Sequence, residues 1–340
     1  MPTWRAATTS QPFREPSEET SGAMHTKTCA ILLAMGGPDN TGNVREYLYN
    51  IFSDRTLIRL PGGPLLQKPF ALMISNLRKK KVQQHYDLIG GGSPLLRWTQ
   101  SQADQIAELL GDDLPDFRAY VGMRYFRPSI EQAVKQAYED GCRRLVFLPM
   151  YPQYSLATTG SSFAVASKAV KRYPDLDTVF IKDFHNHPGY IELLRTYIND
   201  NIRGDETLLF SAHSLPQKFV DEGDPYVDQV YETARLAAGD REYVVAFQSR
   251  TGPVTWVGPD TVDETKRLLR EREGGLFVVP IAFVCDHIET LYELDIELPQ
   301  VVGGDAGKRL RRMPMFNDDS LFAEALADLI RERAGSRVGS

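Results

Sequence analysis

Runs of apolar, largely β-branched residues recur along the chain, and each ends in Gly, Pro or Ser before a helical pattern begins. Short buried strands that alternate with helices are typical of βαβ units in a parallel sheet. The pattern therefore predicts strands and helices in alternation through both halves of the chain. The predicted strands are Cys29–Met35, Arg144–Leu148, Thr207–Ser211, Tyr243–Gln248 and Leu276–Ala282.

Helical periodicity fills the stretches between these strands. Pro128 and Ser129 form an acceptable helix start, and Gly141 is a typical helix end. The predicted helices are Thr99–Leu110, Ser129–Asp140, Phe163–Arg172, Tyr190–Ile202, Asp224–Ala238, Thr261–Glu271 and Ser320–Arg333.

The two halves share one plan, because each opens with a strand that runs into a proline-containing loop, AMGGPD at 34–39 and SAHSLP at 211–216. We predict an α/β fold of two Rossmann-like lobes, each a parallel β-sheet flanked by helices, with a cleft between them. In such folds ligands bind at the carboxyl ends of the strands. The expected division is a disordered tail over 1–24, a first lobe over 25–186, and a second lobe over 187–340 whose last helix covers about 320–333.

Residues 57–77, LIRLPGGPLLQKPFALMISNL, break this plan. With three prolines and two glycines the segment is expected to be too broken for one helix, and it is too apolar for an idle loop. It could line a large flat apolar ligand or contact a membrane, or it could simply pack on the core. The longest uncharged run, Leu145–Ser167, contains two prolines and many hydroxyls, so no transmembrane helix is predicted.

Charge and composition narrow the class of protein. Of the 340 residues 42% are hydrophobic, which allows a sizeable core, and the net charge is −6. Nucleic-acid binders carry a basic stripe, whereas the densest basic run here is the short Arg78–Lys81, so no nucleic-acid partner is expected. That run is interpreted as a solvated helix face or as a patch that meets anionic groups such as lipid headgroups.

The three cysteines, Cys29, Cys142 and Cys285, are odd in number and widely spaced. This pattern argues against a disulfide framework and against a tetracysteine zinc or iron–sulfur site, and it favours a reducing compartment. Residues 1–23 lack the apolar region of a signal peptide.

His213 lies where the strand before SAHSLP ends, which would place an imidazole in the cleft. Histidine titrates near neutrality and can therefore accept protons or bind metal, although a lone histidine is more often structural. Ser211 and Ser214 beside it suggest a serine hydrolase, but the G-x-S-x-G motif is absent from the sequence.

Asp286, Glu289, Glu293 and Glu297 are spaced by three, four and four residues, which places four acids along one helix face. A solvated acidic face is the ordinary interpretation. The row begins, however, at the end of a strongly apolar strand and beside His287, where a cleft is expected. Carboxylates in a row suit a hard divalent cation or a proton relay.

Other candidates lie in loops. Ser93 in GGGSP is interpreted as a turn residue close to a ligand, while Arg124 and Tyr125 follow a short strand where an arginine suits a carboxylate ligand. Trp256 lies in a Gly/Pro loop and could stack on a planar ligand. Residues 185–187 are interpreted as an exposed loop without a special role.

Eight strings run from Met35 to Glu297 in an order that resembles the ferrochelatase family: AMGGPD, IGGGSPL, GMRYFRP, YPQYSLATTGSS, FSAHSLP, GDPY, QSRTGPVTWVGP and VPIAFVCDHIETLYELDIE. The resemblance implies a chelatase-like two-lobed fold. It also implies a lyase of haem biosynthesis that inserts Fe²⁺ into a porphyrin and releases two protons.

The resemblance also implies roles for single residues. His213 would be the catalytic histidine and Glu289 its carboxylate partner, with Glu293 as a further metal ligand. The porphyrin pocket would be lined by Met35, Ser93, Arg124, Tyr125, Trp256 and His287, with Arg78 as a further propionate contact. The proton or metal track would comprise Asp286, Glu293 and Glu297.

The apolar segment 57–77 resembles the pocket lip of protoporphyrin-using members, which favours protoporphyrin IX and peripheral membrane contact. We expect a monomer or homodimer in the cytoplasm or on the inner face of the membrane. No permanently bound cofactor is expected, and no [2Fe–2S] cluster, because no cysteine follows Cys285. A coproporphyrin III ferrochelatase, a cobalt chelatase and a non-enzymatic porphyrin or haem carrier stay open as alternatives.

Overall fold

The computed structural model of the protein describes residues 26–58, 60–250 and 252–335. The predicted tail over 1–24 lies outside the described residues. Within them, two parallel sheets follow one another along the chain, and helices flank both.

The first sheet contains β1 (Thr28–Ala34), β2 (Arg118–Met123), β3 (Arg144–Pro149) and β4 (Asp177–Phe180). Its spatial order is β2-β1-β3-β4, and each neighbouring pair is parallel. Every residue of β1, TCAILLA, is buried, as expected of a central strand that is covered by helices on both faces.

The second sheet repeats this arrangement with β5 (Thr207–His213), β6 (Tyr243–Gln248), β7 (Leu276–Pro280) and β8 (Leu310–Arg312). The order β6-β5-β7-β8 matches that of the first sheet, and its pairs are again parallel. The predicted fold class, two Rossmann-like α/β lobes, is confirmed. The short strands β4 and β8 were not predicted, and β2 was predicted only as a short strand before Arg124, without bounds.

Helices connect the strands and cover the sheets. Two segments, Leu156–Gly160 and Glu289–Glu297, are π-helical, and Thr41–Asn43 is a 3₁₀ turn. The α-helices are α1 (Val44–Ser53), α2 (Gly63–Leu88), α3 (Leu95–Leu110), α4 (Ile130–Glu139), α5 (Ser161–Val170), α6 (Pro188–Asn201), α7 (Gln217–Asp221), α8 (Tyr226–Ala238), α9 (Thr261–Glu271), α10 (Leu298–Val302), α11 (Gly304–Gly307) and α12 (Ser320–Gly335).

The expectation that residues 57–77 are too broken for one helix is wrong, because α2 runs through most of this segment without interruption. Pro64 lies in the first turn, where its missing N–H removes no intrahelical hydrogen bond, and only Pro69 lies inside the helix. Two leucines of α2 stay largely in solvent, Leu65 at 90% and Leu77 at 74% exposure. In the described part of the chain, no helix is both long and apolar enough to cross a bilayer.

The cysteine prediction also needs correction, because Cys29 and Cys142 form a disulfide. Cys29 lies in β1 and Cys142 lies two residues before the start of β3. The pairing of these strands brings the two Cα atoms to 6.1 Å although 113 positions separate them in sequence. Both are buried, and Cys285 is a buried free thiol. The expectation of a reducing compartment rested on three unpaired cysteines, and this disulfide removes that support.

The last helix, α12, follows the second sheet but packs against α3 of the first lobe. Phe322 and Ile330 of α12 belong to the same buried cluster as Ile106 of α3. At the edge of this contact Arg331 donates to Asp113 at 2.6 Å. The lobe boundary at 186/187 stays a prediction.

Candidate active site

A cleft lies between the two lobes, where the carboxyl ends of the central strands meet. Its lining combines Met35, Tyr86 and Ser93 from the first lobe with Phe283, His287 and Glu289 from the second. The empty volume is about 570 Å³, part of it open to solvent. The mixture of apolar walls with a few polar groups is typical of a small-molecule site.

His213 is the last residue of β5, and its ring meets Glu289 at the start of the π-helix Glu289–Glu297. His213 Nδ1 and Glu289 Oε2 are 2.6 Å apart. The carboxylate thereby fixes the ring orientation and leaves Nε2 for another partner. The His213 side chain is 42% exposed and that of Glu289 16%, so the imidazole faces the open side of the pair.

The two groups shift each other's protonation in opposite directions. Burial works against a charged imidazole, but the negative charge of Glu289 outweighs it and raises the pKa of His213. Burial likewise opposes ionisation of Glu289, yet the adjacent His213 lowers the pKa of this carboxyl. The pair is therefore best described as an imidazole made more basic by a carboxylate that stays ionised.

Glu293 extends the acidic row by one turn and is held by the last residue of β6 and the residue that follows it. The Ser249 hydroxyl donates to Oε2 of both Glu289, at 3.4 Å, and Glu293. Gln248 Nε2 donates to Glu293 Oε2 at 3.1 Å. Burial and the charge of Glu289 raise the pKa of Glu293 to about 7, so this carboxyl can gain or lose a proton near neutrality.

The structure separates Asp286 from the other acids of the predicted track. Its Oδ1 lies 3.1 Å from the Arg312 guanidinium and accepts from the Thr290 hydroxyl at 3.0 Å. Its Oδ2 accepts from the Asn317 amide at 2.9 Å. Both oxygens are thus occupied by neighbours, which is the arrangement of a structural ion pair. Glu297 is partly exposed at the far end of the π-helix.

His287 lines the cleft beside Glu289, and its ring meets the Phe283 ring edge-to-face with centroids 4.5 Å apart. Burial lowers the pKa of His287, which favours the neutral imidazole. Its Nδ1 is buried with no hydrogen-bond partner among the described residues. An unsatisfied buried nitrogen in a cleft wall is suited to a ligand contact.

Three of the predicted porphyrin contacts are not part of the cleft lining. Arg124 donates to Asp54 Oδ2 at 2.5 Å, and the Tyr125 hydroxyl donates to the same oxygen at 2.8 Å, so the side chain of Arg124 is already paired with a carboxylate.

Trp256 pairs through its backbone with Pro216, three residues after His213, and its indole N–H is buried without a partner in the described chain. Met35, Ser93 and His287 do line the cleft.

Sequence reasoning missed three residues that support the histidine pair. Gln248 and Ser249 hold the acids, and the Tyr226 hydroxyl donates to the His213 carbonyl at 3.0 Å. Gln248 lies opposite His213 in the parallel pairing of β5 with β6, so the strand pattern could have indicated it. Ser249 has a φ of 66°, a left-handed conformation that favours glycine and often marks functional sites.

The interpretation of residues 185–187 as an exposed loop is wrong for His185, which is 7% exposed. Its Nδ1 lies 2.8 Å from Asp183 and its Nε2 2.9 Å from Glu232, so the ring joins this loop to α8. Within the described residues, no group of three or more His, Cys, Asp or Glu side chains is arranged to hold a metal ion.

The fold and the cleft define a chelatase-like protein. SirB from Bacillus subtilis, solved with Fe³⁺, superposes with a TM-score of 0.54 over 91% of this chain and 96% of its own, at 11% identity, a likeness of fold alone. The ferrochelatase family model matches residues 27–334. The chain belongs to the ferrochelatase family and is an enzyme of that type.

Two relatives illustrate the match along the sequence. The ferrochelatase of Geotalea daltonii is 40% identical over 322 residues, which cover 92% of this chain and 99% of the relative. That of Thermosynechococcus vestitus is 42% identical over 322 residues, which cover 91% of this chain and 83% of the relative.

Proposed function

We propose that the protein inserts Fe²⁺ into protoporphyrin IX to form protohaem, the final step of haem biosynthesis. The observation that carries the proposal is the His213–Glu289 pair, at 2.6 Å, beside a largely apolar cleft between two lobes. A flat hydrophobic macrocycle requires such a cleft, and its metallation requires a base at the ring.

Insertion replaces two pyrrole N–H protons with one Fe²⁺, so two protons must leave the ring as the metal binds. His213 Nε2 accepts a pyrrole proton while Glu289 stabilises the imidazolium that results. The raised pKa of His213 increases its strength as a base. The imidazolium then passes its Nδ1 proton to Glu289, which holds it only in transit before Ser249 and Glu293 carry it toward the exposed Glu297. The restored neutral His213 accepts the second pyrrole proton, which leaves by the same route.

The same groups suit the metal. Imidazole and carboxylate are ligands of ferrous iron, so His213, Glu289 and Glu293 would bind the substrate ion in passing rather than hold a resident metal. A cleft complementary to a buckled macrocycle would expose the pyrrole lone pairs and so stabilise the transition state. We propose porphyrin contacts for Met35, Ser93 and His287, which line the cleft. For Arg124, Tyr125 and Trp256, which lie outside its lining, a porphyrin contact stays a prediction from the family resemblance.

Leu65 and Leu66, which are exposed at the start of α2, support protoporphyrin IX over the more polar coproporphyrin III, because they give residues 57–77, the expected pocket lip, an apolar surface. We propose that residues 57–77 make peripheral contact with the inner face of a membrane from the cytoplasm. We further propose that the enzyme works as a monomer or homodimer without a permanent cofactor or a [2Fe–2S] cluster.

The test is absorbance of the purified protein under anaerobic conditions with protoporphyrin IX and Fe²⁺. Catalytic conversion of the free-base bands to a metalloporphyrin spectrum is expected. Stoichiometric binding without turnover would instead identify a porphyrin carrier. Turnover of coproporphyrin III alone, or of Co²⁺ with a corrinoid precursor alone, would replace the proposed substrate with that one.

A further inference from the structure

The rings of His85 and Tyr292 stack on each other between the two lobes. Their centroids are 3.8 Å apart and their planes differ by 15°. His85 lies in the last turn of α2, and Tyr292 lies in the π-helix Glu289–Glu297. The stack therefore connects the helix of the apolar lip to the helix that carries the acidic row.

This contact borders the cleft. Tyr86, the residue after His85, is buried and lines the cleft. Ile288, which precedes the π-helix, lines the same cleft and packs on the apolar cluster formed by α1 and α2. Residues next to the stack therefore line the cleft from both lobes.

The π-helix is fixed to its own lobe on one side and meets the first lobe on the other. Leu294 is buried in the cluster beneath the second sheet, and Asp295 pairs with Arg312 at 2.7 Å. Tyr292 lies between Glu289 and Glu293 in sequence, and its ring contacts His85 of the first lobe. π-Helices are rare and occur mainly at functional sites. We therefore expect tertiary contacts such as this stack to decide how the side chains of the π-helix are oriented.

The ring of His85 acts here as a flat surface. Burial and the positive charges of Lys81 and Arg78 lower the pKa of His85, so the imidazole is neutral at neutral pH. Stacked pairs of neutral rings are stabilised by dispersion and quadrupole interactions that a phenyl ring also provides and a methyl group does not.

We propose that His85 is a positioning residue: by stacking on Tyr292 it fixes the π-helix so that Glu289 and Glu293 meet His213 and Ser249 in the geometry that metal insertion needs. The proposal rests on the proposed function, because it concerns the same reaction. It adds a residue of the first lobe that acts on the catalytic pair without contacting it.

The experiment compares His85→Ala and His85→Phe with the wild type, and uses Gln84→Ala, an exposed neighbour on α2, as the matched control. Steady-state kinetics with protoporphyrin IX and Fe²⁺ separate kcat from KM. Hydrogen–deuterium exchange of the amides of residues 289–297 reports the π-helix in the same proteins, independently of turnover.

His85→Ala is expected to lower kcat about 2- to 12-fold, the range that the free energy of one aromatic pair spans, with faster exchange of residues 289–297 and little change in KM. His85→Phe should restore both readouts, and Gln84→Ala should match the wild type. Unchanged kcat in His85→Ala would overturn the proposal, as would a phenylalanine variant impaired as much as the alanine one. If the wild type inserts no iron, the proposed function fails. In that case, faster amide exchange of residues 289–297 in His85→Ala, but not in His85→Phe or Gln84→Ala, would still show that the stack fixes the π-helix.

Discussion

The ion pair Asp54–Arg124 of the first lobe and the pair His213–Glu289 of the second both lie near the carboxyl end of a sheet, and they differ in how much of their bonding capacity is used. In the first lobe Asp54 and Arg124 are 8% and 18% exposed, and Asp54 also accepts from Thr56, Tyr125 and Ser161. In the second lobe His213 is 42% exposed and bonds Glu289 through Nδ1. The first pair is closed by its neighbours, whereas the second keeps a ring nitrogen for a ligand.

Opposite charges at the end of a strand therefore do not by themselves identify a site. A closed pair stabilises the fold, because removing one member leaves a buried charge unpaired. An open pair with mutually shifted pKa values can exchange protons with a bound molecule. Substitutions in the two lobes should accordingly affect different quantities, activity in the second lobe and stability in the first.

The largest effect is expected from His213→Ala, which removes the open pair's base. Iron insertion should fall about 10²- to 10⁴-fold, the usual contribution of a general base, while protoporphyrin still binds. Absorbance assays of turnover and fluorescence titration of binding measure the two quantities in parallel. Near-normal turnover would remove His213 from the catalytic role.

Glu289→Gln should lower kcat roughly 10- to 100-fold, the range found when the partner of a metal-binding histidine is removed. The carboxylate raises the pKa of His213, so its loss should move the acidic limb of the kcat–pH profile to lower pH. Glu297→Gln is the matched control and should lose less. Equal and mild losses in both variants would reduce the acidic row to a solvated face.

In the closed pair, Asp54→Asn should lower the free energy of unfolding by about 3 kcal/mol, the lower end for breaking a buried ion pair. Burial opposes ionisation of Asp54, but bonds from Thr56 and Tyr125 and the charge of Arg124 outweigh it and lower its pKa. This stabilisation is therefore complete above the unfolded value of about 3.9 and is lost as pH falls through the lower folded value.

Urea unfolding of Asp54→Asn at neutral and acidic pH measures this contribution, with the exposed Asp87→Asn as the control. The difference between Asp54→Asn and the wild type should shrink on acidification, because protonation removes the same charge. A variant of normal stability that has lost porphyrin binding would instead make Arg124 a ligand contact and the pair an open one.

The last prediction concerns the cysteines, where the smallest change is expected. In the described chain the first lobe has the disulfide Cys29–Cys142, whereas the second lobe has the free thiol of Cys285. Alkylation of the denatured, unreduced protein should label Cys285 alone, whereas prior reduction should add Cys29 and Cys142. Mass spectrometry counts the labels. Three labels without reduction would contradict the pairing.

Most strands and helices could be predicted from the sequence, because the patterns that indicate them lie within a few neighbouring residues. Helix α9 was predicted with its observed bounds, Thr261–Glu271. The structure shows a local cause for its start, because Asp260 accepts from two backbone N–H groups. The first half of α2 was missed, although Arg78–Lys81 was interpreted as a helix face, because proline counts as a helix breaker in a pattern. Pro64 is tolerated in the first turn, and Pro69 lies inside the helix without ending it. The disulfide was missed because it depends on strand order, which links residues 113 positions apart.

The part of the candidate site that could be predicted is the part whose contacts are formed between residues of the recognised motifs. His213 and Glu289 were paired from the family resemblance, and the 2.6 Å contact agrees with that pairing, while their catalytic roles stay predictions. Asp286 has the right spacing for the acidic row but turns to Arg312, which arrives from β8. A partner supplied by a distant strand decides whether an acid is free, and spacing along one helix carries no such information.

The contact of α12 with α3 has a consequence for the order in which the molecule can mature. Ribosomal synthesis delivers α3 more than 200 residues before α12, since the two helices lie at Leu95–Leu110 and Ser320–Gly335. Until then the apolar face of α3 lacks its cover, although the first sheet is already complete. The nascent first lobe is therefore a natural client for chaperones during elongation, and its final burial coincides with the arrival of the second lobe.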